Sequence, residues 1–401
     1  MYGLYSYSLV ARLGDVNLSH VNKTQSTQWC GHGLLATERQ GWHTYQSMKA
    51  QVPPPERVVR RRSRGGGFGL ESPGLVRNHV MSRKTAVIVN PKSASGRTAR
   101  RWPEIAMALR AHLGEFKALF TEGPGHGAEL VSEALEHGFE QVISVGGDGT
   151  HSEVVNGLFL GGKPVNEKIE FAVVPTGTGG DLRRTLGLPS SPIDAIEVIG
   201  RDRRDVDVGV LEYTQHHGGW SQSCFINILS CGLSGRVAHE LDHGGKALGG
   251  QLSFALAALS ATARYRNQPV RIVMTDNQDE VRTMERTVYT LALANGQYFG
   301  GGMHVAPTAS MNDGLLDVIV MGDMGWVEVV RGMVRVFKGR HLEEAKVEQF
   351  QARAVEIQPL GDIPLYLDVD GEQPGRLPVR VRLLPKALRV SVGPEAKGFQ
   401  P

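Results

Sequence analysis

The sequence predicts an α/β fold: a parallel sheet flanked by helices, followed by a β-rich, sandwich-like second domain. Three observations carry that prediction. Strand and helix patterns alternate from Thr85 to about Asp205. Three apolar strands in that stretch stop at polar, glycine-containing turns. After Asp205 strand patterns follow one another with little helix between them.

The first strand, Thr85-Ala86-Val87-Ile88-Val89, runs into Asn90-Pro91-Lys92-Ser93-Ala94-Ser95-Gly96. A helix is expected over Trp102–Arg110, a strand ending near Thr121, and a helix over Ala128–Leu135. Gln141-Val142-Ile143 leads into Ser144-Val145-Gly146-Gly147-Asp148-Gly149-Thr150, and Ser152–Phe159 can start the next helix. Phe171–Val174 ends in Pro175-Thr176-Gly177-Thr178-Gly179-Gly180-Asp181, and Pro189 and Pro192 flank the start of a last helix, Ile193–Ile199. Beyond Asp205, strands are expected at 205–210, 224–228, 270–274, 287–294, 316–320 and 388–392. One long helix, Lys246–Tyr265, carries an apolar stripe. Its polar face lacks the lysines of an interfacial helix, so packing on the sheet is favoured over a lid or membrane face.

The turn Gly146–Thr150 carries the most chemistry. Glycine tolerates positive φ and lets backbone amides approach an anion, and a helix N-terminus beside it adds partial positive charge. Asp148 sits where an acid could hold a metal-chelated phosphate or a ribose hydroxyl. In open α/β sheets ligands bind beyond the carboxyl ends of strands, and three such turns gather there. Asn90, Ser93 and Thr178 are candidate supporting donors for a polyphosphate.

These motifs resemble the diacylglycerol kinase catalytic family, which includes bacterial lipid kinases and the sphingosine and ceramide kinases. The matching residues are Asn90-Pro91 with Ser93 and Gly96, Gly146–Thr150 with Glu153 and Asn156-Gly157, and Pro175-Thr176-Gly177-Thr178 with Asp181. Asn312-Asp313-Gly314-Leu315-Leu316-Asp317-Val318 and Asp368-Val369-Asp370-Gly371-Glu372 match as well, so the likeness runs from about residue 84 to 393. The glycine turn is shared with NAD kinases and 6-phosphofructokinases, whereas the late Asp-Gly-Glu is more specific to lipid kinases. The family has Asn-Asp where this chain has Gly180-Asp181, which implies a more open wall to the nucleotide site.

The resemblance implies ATP and Mg²⁺ as cofactors and a nucleotide site built from Asn90, Ser93, Thr121, Gly146, Gly147, Asp148, Gly149, Thr150, Glu153, Thr178 and Asp181. It implies a metal site at Ser310, Asp313 and Leu315, and Glu372 as proton acceptor with Asp370 as its partner. The residues themselves do not rank those two acids. The implied activity is transfer of the γ-phosphoryl group to a lipid hydroxyl at a membrane surface. Diacylglycerol is the first expectation, a ceramide or sphingoid base the second, and an NAD kinase-type metabolite the third.

The implied domains are a disordered extension over 1–80, a nucleotide-binding α/β domain over 81–205, and a β-rich lipid-substrate domain over 206–401 whose last strands return to the first. Residues 1–80 hold ten Lys or Arg against four Asp or Glu, including Arg60, Arg61 and Arg62. The rest of the chain nets −3 within an overall +3. This basic stretch reads as a solvated linker rather than a nucleic-acid arm, with Met81 a candidate initiator. Cys30, Cys224 and Cys231 suggest no disulfide framework and fit a reducing cytosol. No apolar run is long enough to span a bilayer. The expected location is therefore cytoplasmic and peripheral to the membrane. The oligomeric state, a homodimer among the options, is not set by the chain. His126, His151 and His304 are isolated and read as structural.

Overall fold

The computed structural model describes residues 83–243 and 265–399. The extension 1–80 and, apart from Tyr265, the helix expected over Lys246–Tyr265 lie outside the described residues. The α/β half runs β1 (Thr85–Val89), α1 (Ser93–Leu113), β2 (Lys117–Phe120), α2 (His126–Glu136), β3 (Gln141–Gly146) and α3 (Asp148–Gly157). A small hairpin follows, β4 (Phe159–Leu160) and β5 (Lys163–Pro164), then β6 (Glu170–Pro175), α4 (Asp181–Thr185) and α5 (Pro192–Val198).

Parallel pairing gives the order β2-β1-β3-β6. Every residue of β1, β3 and β6 is buried, as strands covered on both faces require. The period of two assigns the faces. Val87 and Val89 meet Trp102, Ile105 and Leu109 of α1 with Ile196 of α5, while Ile88 meets Val131 of α2 and Val155 of α3 on the other side.

The β-rich half continues with β7 (Asp202–Thr214), β8 (Trp220–Phe225), β9 (Ile228–Gly232), α6 (Leu233–His243), β10 (Gln268–Thr275), β11 (Val281–Val288) and β12 (Thr290–Ala294). After the hairpin of β13 (Tyr298–Phe299) and β14 (Met303–His304) come β15 (Leu316–Met321), α7 (Trp326–Phe337), β16 (Val347–Ala352), β17 (Ala354–Pro359), β18 (Leu367–Val369) and β19 (Arg376–Val392). An antiparallel sheet ordered β16-β15-β12-β9-β18 forms one layer of the sandwich. Its core residues, among them Leu229, Leu291 and Val318, pack with Val270, Ile357 and Val381 of the larger sheet.

One strand ties the halves together. β19 pairs antiparallel with β17 through Val379–Arg382, and Arg389 and Val390 near its end lie parallel to Glu170 and Phe171 of β6. β7 runs antiparallel beside most of its length. The two halves therefore share a continuous sheet, which sets the turns of one against the turns of the other.

Two strands expected as continuous are broken at sheet corners. Cys224–Ile228 divides after Phe225, and Thr287–Ala294 divides at Tyr289, where the chain leaves one layer for the other. Strand-forming residues lie on both sides of each corner, Phe225 and Ile226 before Ile228, Val288 and Tyr289 before Leu291, so a single polar residue, Asn227 or Thr290, does not mark the break. Helix α3 starts at Asp148, inside the glycine turn, rather than near Ser152, because Gly147 adopts the extended conformation of a cap.

Candidate active site

Because α3 begins immediately after Gly147, the amides of Asp148, Gly149 and Thr150 lie in a first helical turn, where no intrahelical acceptor exists. The neighbouring turns close in on this point. The Gly146 carbonyl accepts from Thr176 N–H (2.7 Å) and Gly177 N–H (3.0 Å). A Cβ on Gly177 would lie 2.5 Å from Gly147 Cα, so the turns after β3 and β6 touch backbone to backbone. Asn90 Nδ2 donates to Thr150 Oγ1 (2.9 Å), and Ser93 Oγ lies 3.6 Å from where a Cβ of Gly147 would stand. Thr121, buried at the end of β2, donates its N–H to Val89 O (2.9 Å) and so belongs to the same edge. The first turn of α1 is non-helical and holds Ala94 (φ 50°) and Ser95 (φ 57°) in the left-handed region, which costs roughly 1–2 kcal/mol per residue. Such strain concentrates at functional turns.

Beside these turns is a cavity of about 440 Å³ lined by Arg97, Thr98, Arg101, Thr176, Gly177 and Thr178. Thr98 Oγ1 donates to Thr176 Oγ1 at 2.7 Å and fixes that wall. The sequence reading missed Arg97, Thr98 and Arg101. Their signal, two arginines four apart just past Gly96, was hidden in an ordinary amphipathic helix pattern.

Several expected ligand-binding acids are engaged by backbone. Asp148 accepts Gly180 N–H (2.7 Å) and Leu182 N–H (3.2 Å), one on each oxygen, and so joins the turn after β3 to the start of α4. Glu153 accepts Gly125 N–H (2.9 Å) and Gly127 N–H (3.0 Å), so its carboxylate is committed to the N-terminus of α2. Asp181 accepts Gly301 N–H (2.8 Å) and pairs with Arg184 (3.1 Å), tying α4 to the turn between β13 and β14. Burial and the charge of Asp148 push its carboxyl up to about 6. Gly180 sits at φ +68°, a conformation that asparagine also tolerates, so the departure from Asn-Asp removes an amide side chain without demanding another backbone.

His151 is buried against Ser144 Oγ (2.8 Å), and burial lowers its pKa to about 4. It is neutral at pH 7 and adds no charge to the turn. Asn156 links the halves: its side chain accepts Cys224 N–H (2.8 Å) and donates to Cys224 O (2.9 Å), fastening α3 to β8.

From the second half, the turn between β18 and β19 faces this edge. Asp370 is buried at φ 52° and accepts three amide N–H groups, from Ile226 (2.9 Å), Asn227 (3.0 Å) and Ile228 (2.9 Å). It fills the corner between β8 and β9 that the sequence reading ran through. Burial raises its carboxyl to about 6 against the opposing pull of those amides. Glu372, two residues on, is exposed, and its carboxylate lies directly over Gly149, where any Cβ would collide with Oε1. Asp368, half-buried, accepts Gly371 N–H (3.0 Å), and burial reinforced by its acidic neighbours raises it to about 7.

The third expected cluster lies on the turn before β15. Ser310 Oγ donates to Asn312 Oδ1 (2.9 Å), and Asp313 Oδ1 accepts Leu315 N–H (3.0 Å). Asp207, which the sequence reading passed over as a strand residue, accepts Gly314 N–H and Lys386 N–H, both at 2.7 Å, and pins this turn to β19. Among the described residues no group of three or more His, Cys, Asp or Glu converges as a metal cage. The donors fit a hard cation that takes few protein ligands. Asp148 keeps lone pairs beyond its two amide bonds. Burial first, and then the charge of Asp317, raise the Asp313 carboxyl, and Asp317 Oδ2 is itself buried without a hydrogen-bond partner among the described residues.

Comparison with known proteins finds matches to both halves of the chain. Residues 84–211 match the diacylglycerol kinase catalytic domain, and residues 227–392 match the YegS C-terminal NAD kinase beta sandwich-like domain. A diacylglycerol kinase of Staphylococcus saprophyticus is 28% identical over 300 residues, 74% of this chain and 92% of that protein. One of Staphylococcus carnosus is 28% identical over 321 residues, 80% of this chain and 98% of that protein. The solved structure of a candidate diacylglycerol kinase from Bacillus anthracis superposes with a TM-score of 0.62 at 25% identity, covering 78% of this chain and 96% of that one. The chain belongs to the diacylglycerol kinase catalytic family.

Proposed function

We propose that this protein is an ATP-dependent lipid kinase that transfers the γ-phosphoryl group to a lipid hydroxyl, with diacylglycerol as acceptor and phosphatidic acid as product. The observation that carries the reading is the position of Glu372. An exposed carboxylate lies over Gly149 of a glycine turn whose amides open a helix, while its neighbour Asp370 is buried and spent on three amides. That contrast favours Glu372 as the base and Asp370 as the residue that positions it.

In this reading the amides of Asp148–Thr150, with Asn90, Ser93 and Thr178, hold the polyphosphate, and Arg97 and Arg101 flank it. Asp148 would hold Mg²⁺ together with the phosphates, the Asp313 turn would form a separate cation site, and the chemistry supplied there would be neutralisation of phosphate charge. The acceptor hydroxyl oxygen attacks the γ-phosphorus, the bond to the β-phosphate oxygen breaks, and Glu372 takes the hydroxyl proton as the new bond forms. ADP leaves. Work at a membrane surface from the cytoplasm suits such an acceptor. No helix among the described residues is long and apolar enough to cross a membrane.

The test is label transfer from γ-labelled ATP with Mg²⁺ to diacylglycerol, ceramide and sphingosine in mixed micelles and to NAD in solution. Labelled diacylglycerol, lost in Asp148→Ala and Glu372→Ala, is the expected result. Label on ceramide or sphingosine alone would reassign the acceptor, and label on NAD alone would overturn the lipid reading.

A further inference from the structure

The sequence reading assigned no element to residues 326–337, yet α7 there has an unusual surface. Among its residues only Val329 is buried. Trp326 (51% exposed), Val327 (54%), Val330 (48%), Met333 (46%), Val334 (62%) and Phe337 (51%) all face outward. At about 100° per residue these six share an arc of roughly 120°. Val329 and Val336, on the adjoining strip, turn toward the protein, with Val336 packed on Ile319 and Met321 of β15 and their neighbours. Single exposed apolar residues are ordinary, but six on one face mark an interaction surface.

Charge identifies what the surface meets. Arg331 and Lys338 border the apolar arc on the side away from the protein. Neither has an ion-pair partner among the described residues, whereas Arg335 pairs with Glu344 and Glu328 with Lys346. Long cationic stems beside an apolar arc can rise to phosphates while the arc enters the acyl boundary. We propose that α7 docks this protein on an anionic lipid bilayer, with the arc from Trp326 to Phe337 in the interface and Arg331 and Lys338 on lipid phosphates. The proposal deepens the lipid-kinase reading by assigning the surface that meets the membrane. It is measured without nucleotide, so either can fail while the other stands.

The experiment is flotation of the full chain with vesicles of phosphatidylcholine alone or mixed equally with phosphatidylglycerol. The V330E/V334E double variant, altered only at exposed positions, is expected to bind both vesicle types at least about tenfold more weakly. R331Q/K338Q should lose about fivefold per cation on the mixed vesicles and little on neutral ones. Quenching of tryptophan fluorescence by brominated lipid should fall in Trp326→Phe. Wild-type binding by V330E/V334E together with undiminished quenching in Trp326→Phe would overturn the proposal. So would a wild-type dimer that Val334→Glu converts to monomer with vesicle binding unchanged, since the face would then belong to a second copy.

Discussion

The turn after β3 and the turn between β18 and β19 both present acids to the same edge, yet they are built on opposite principles. The first is made of backbone. Its glycines are pressed against each other and against side chains, and its acid, Asp148, is held by the amides of Gly180 and Leu182. The second is made of side chains. Asp370 is sunk into the corner of β8 and β9, and one glycine later Glu372 is left exposed over Gly149. In the proposed reading the first turn takes phosphate and tolerates no added atoms, while Glu372 as proton acceptor must keep its charge accessible, so a carboxylate would serve as scaffold in one place and as reagent in the other.

That division is sharpest at Glu372. Glu372→Gln keeps shape and removes the proposed proton acceptor, and kcat should fall by about 10²–10⁴-fold with ATP affinity and thermal stability near wild type. Unchanged turnover in a quench-flow assay would assign the exposed acid no part in proton transfer. Next in size is Gly177→Ala. Its Cβ would stand 2.5 Å from Gly147 Cα, backbone that cannot swing aside, so the two turns must separate. Nucleotide affinity by calorimetry should drop by at least about tenfold, at a cost of roughly 1–3 kcal/mol in stability. Retained affinity would mean the backbone contact does not shape the cradle.

Asp370→Asn probes the scaffold half of the contrast. Three amides lose an ionised acceptor, and hydrogen bonds to charged groups contribute about 1.5–3 kcal/mol each, part of which the neutral amide retains. A net loss of about 2–4 kcal/mol in urea unfolding is expected, with turnover reduced only as far as the turn loosens and shifts Glu372. Loss of turnover with no loss of stability would exchange the roles of the two acids.

Much of this arrangement was legible in the sequence, for reasons that particular residues make clear. Gly146–Thr150 and Asp370–Glu372 are local, and a glycine turn between apolar strands announces itself. What stayed hidden depends on partners distant in the chain. The chemistry of Asp207 is set by the amides of Gly314 and Lys386, and that of Glu153 by Gly125 and Gly127. Nothing in their own neighbourhoods shows whether such an acid faces a ligand or a helix end. Tyr289 and the Ile226–Asn227 corner were missed because strand-forming residues continue on both sides of each corner and one polar residue does not end a strand. The helix α7 was missed because its apolar face points outward, and the expectation of a buried stripe had no place for it.

The smallest expected effect concerns Asp368, which stands between the two acids in kind: half-buried, with Gly371 N–H on one oxygen and Ser230 Oγ at 3.5 Å from the other. Its carboxyl is raised to about 7, first by burial and then by Asp370 and Glu372. An unfolded aspartate titrates near 3.9. Between about pH 4 and pH 7 the native chain therefore holds a proton that the unfolded chain has released, so this group's contribution to stability is complete below pH 4 and is lost as pH rises through 7. A shift of about three units allows at most roughly 4 kcal/mol, and solvent screening at a half-buried site brings this to about 1–2 kcal/mol. Asp368→Asn stays neutral throughout, so its urea midpoint should decline less than that of the wild type from pH 4 to pH 7 and exceed it at pH 8. If both proteins show the same slope, the proton belongs to Asp370, and the buried acid rather than its half-buried neighbour sets how the turn responds to pH.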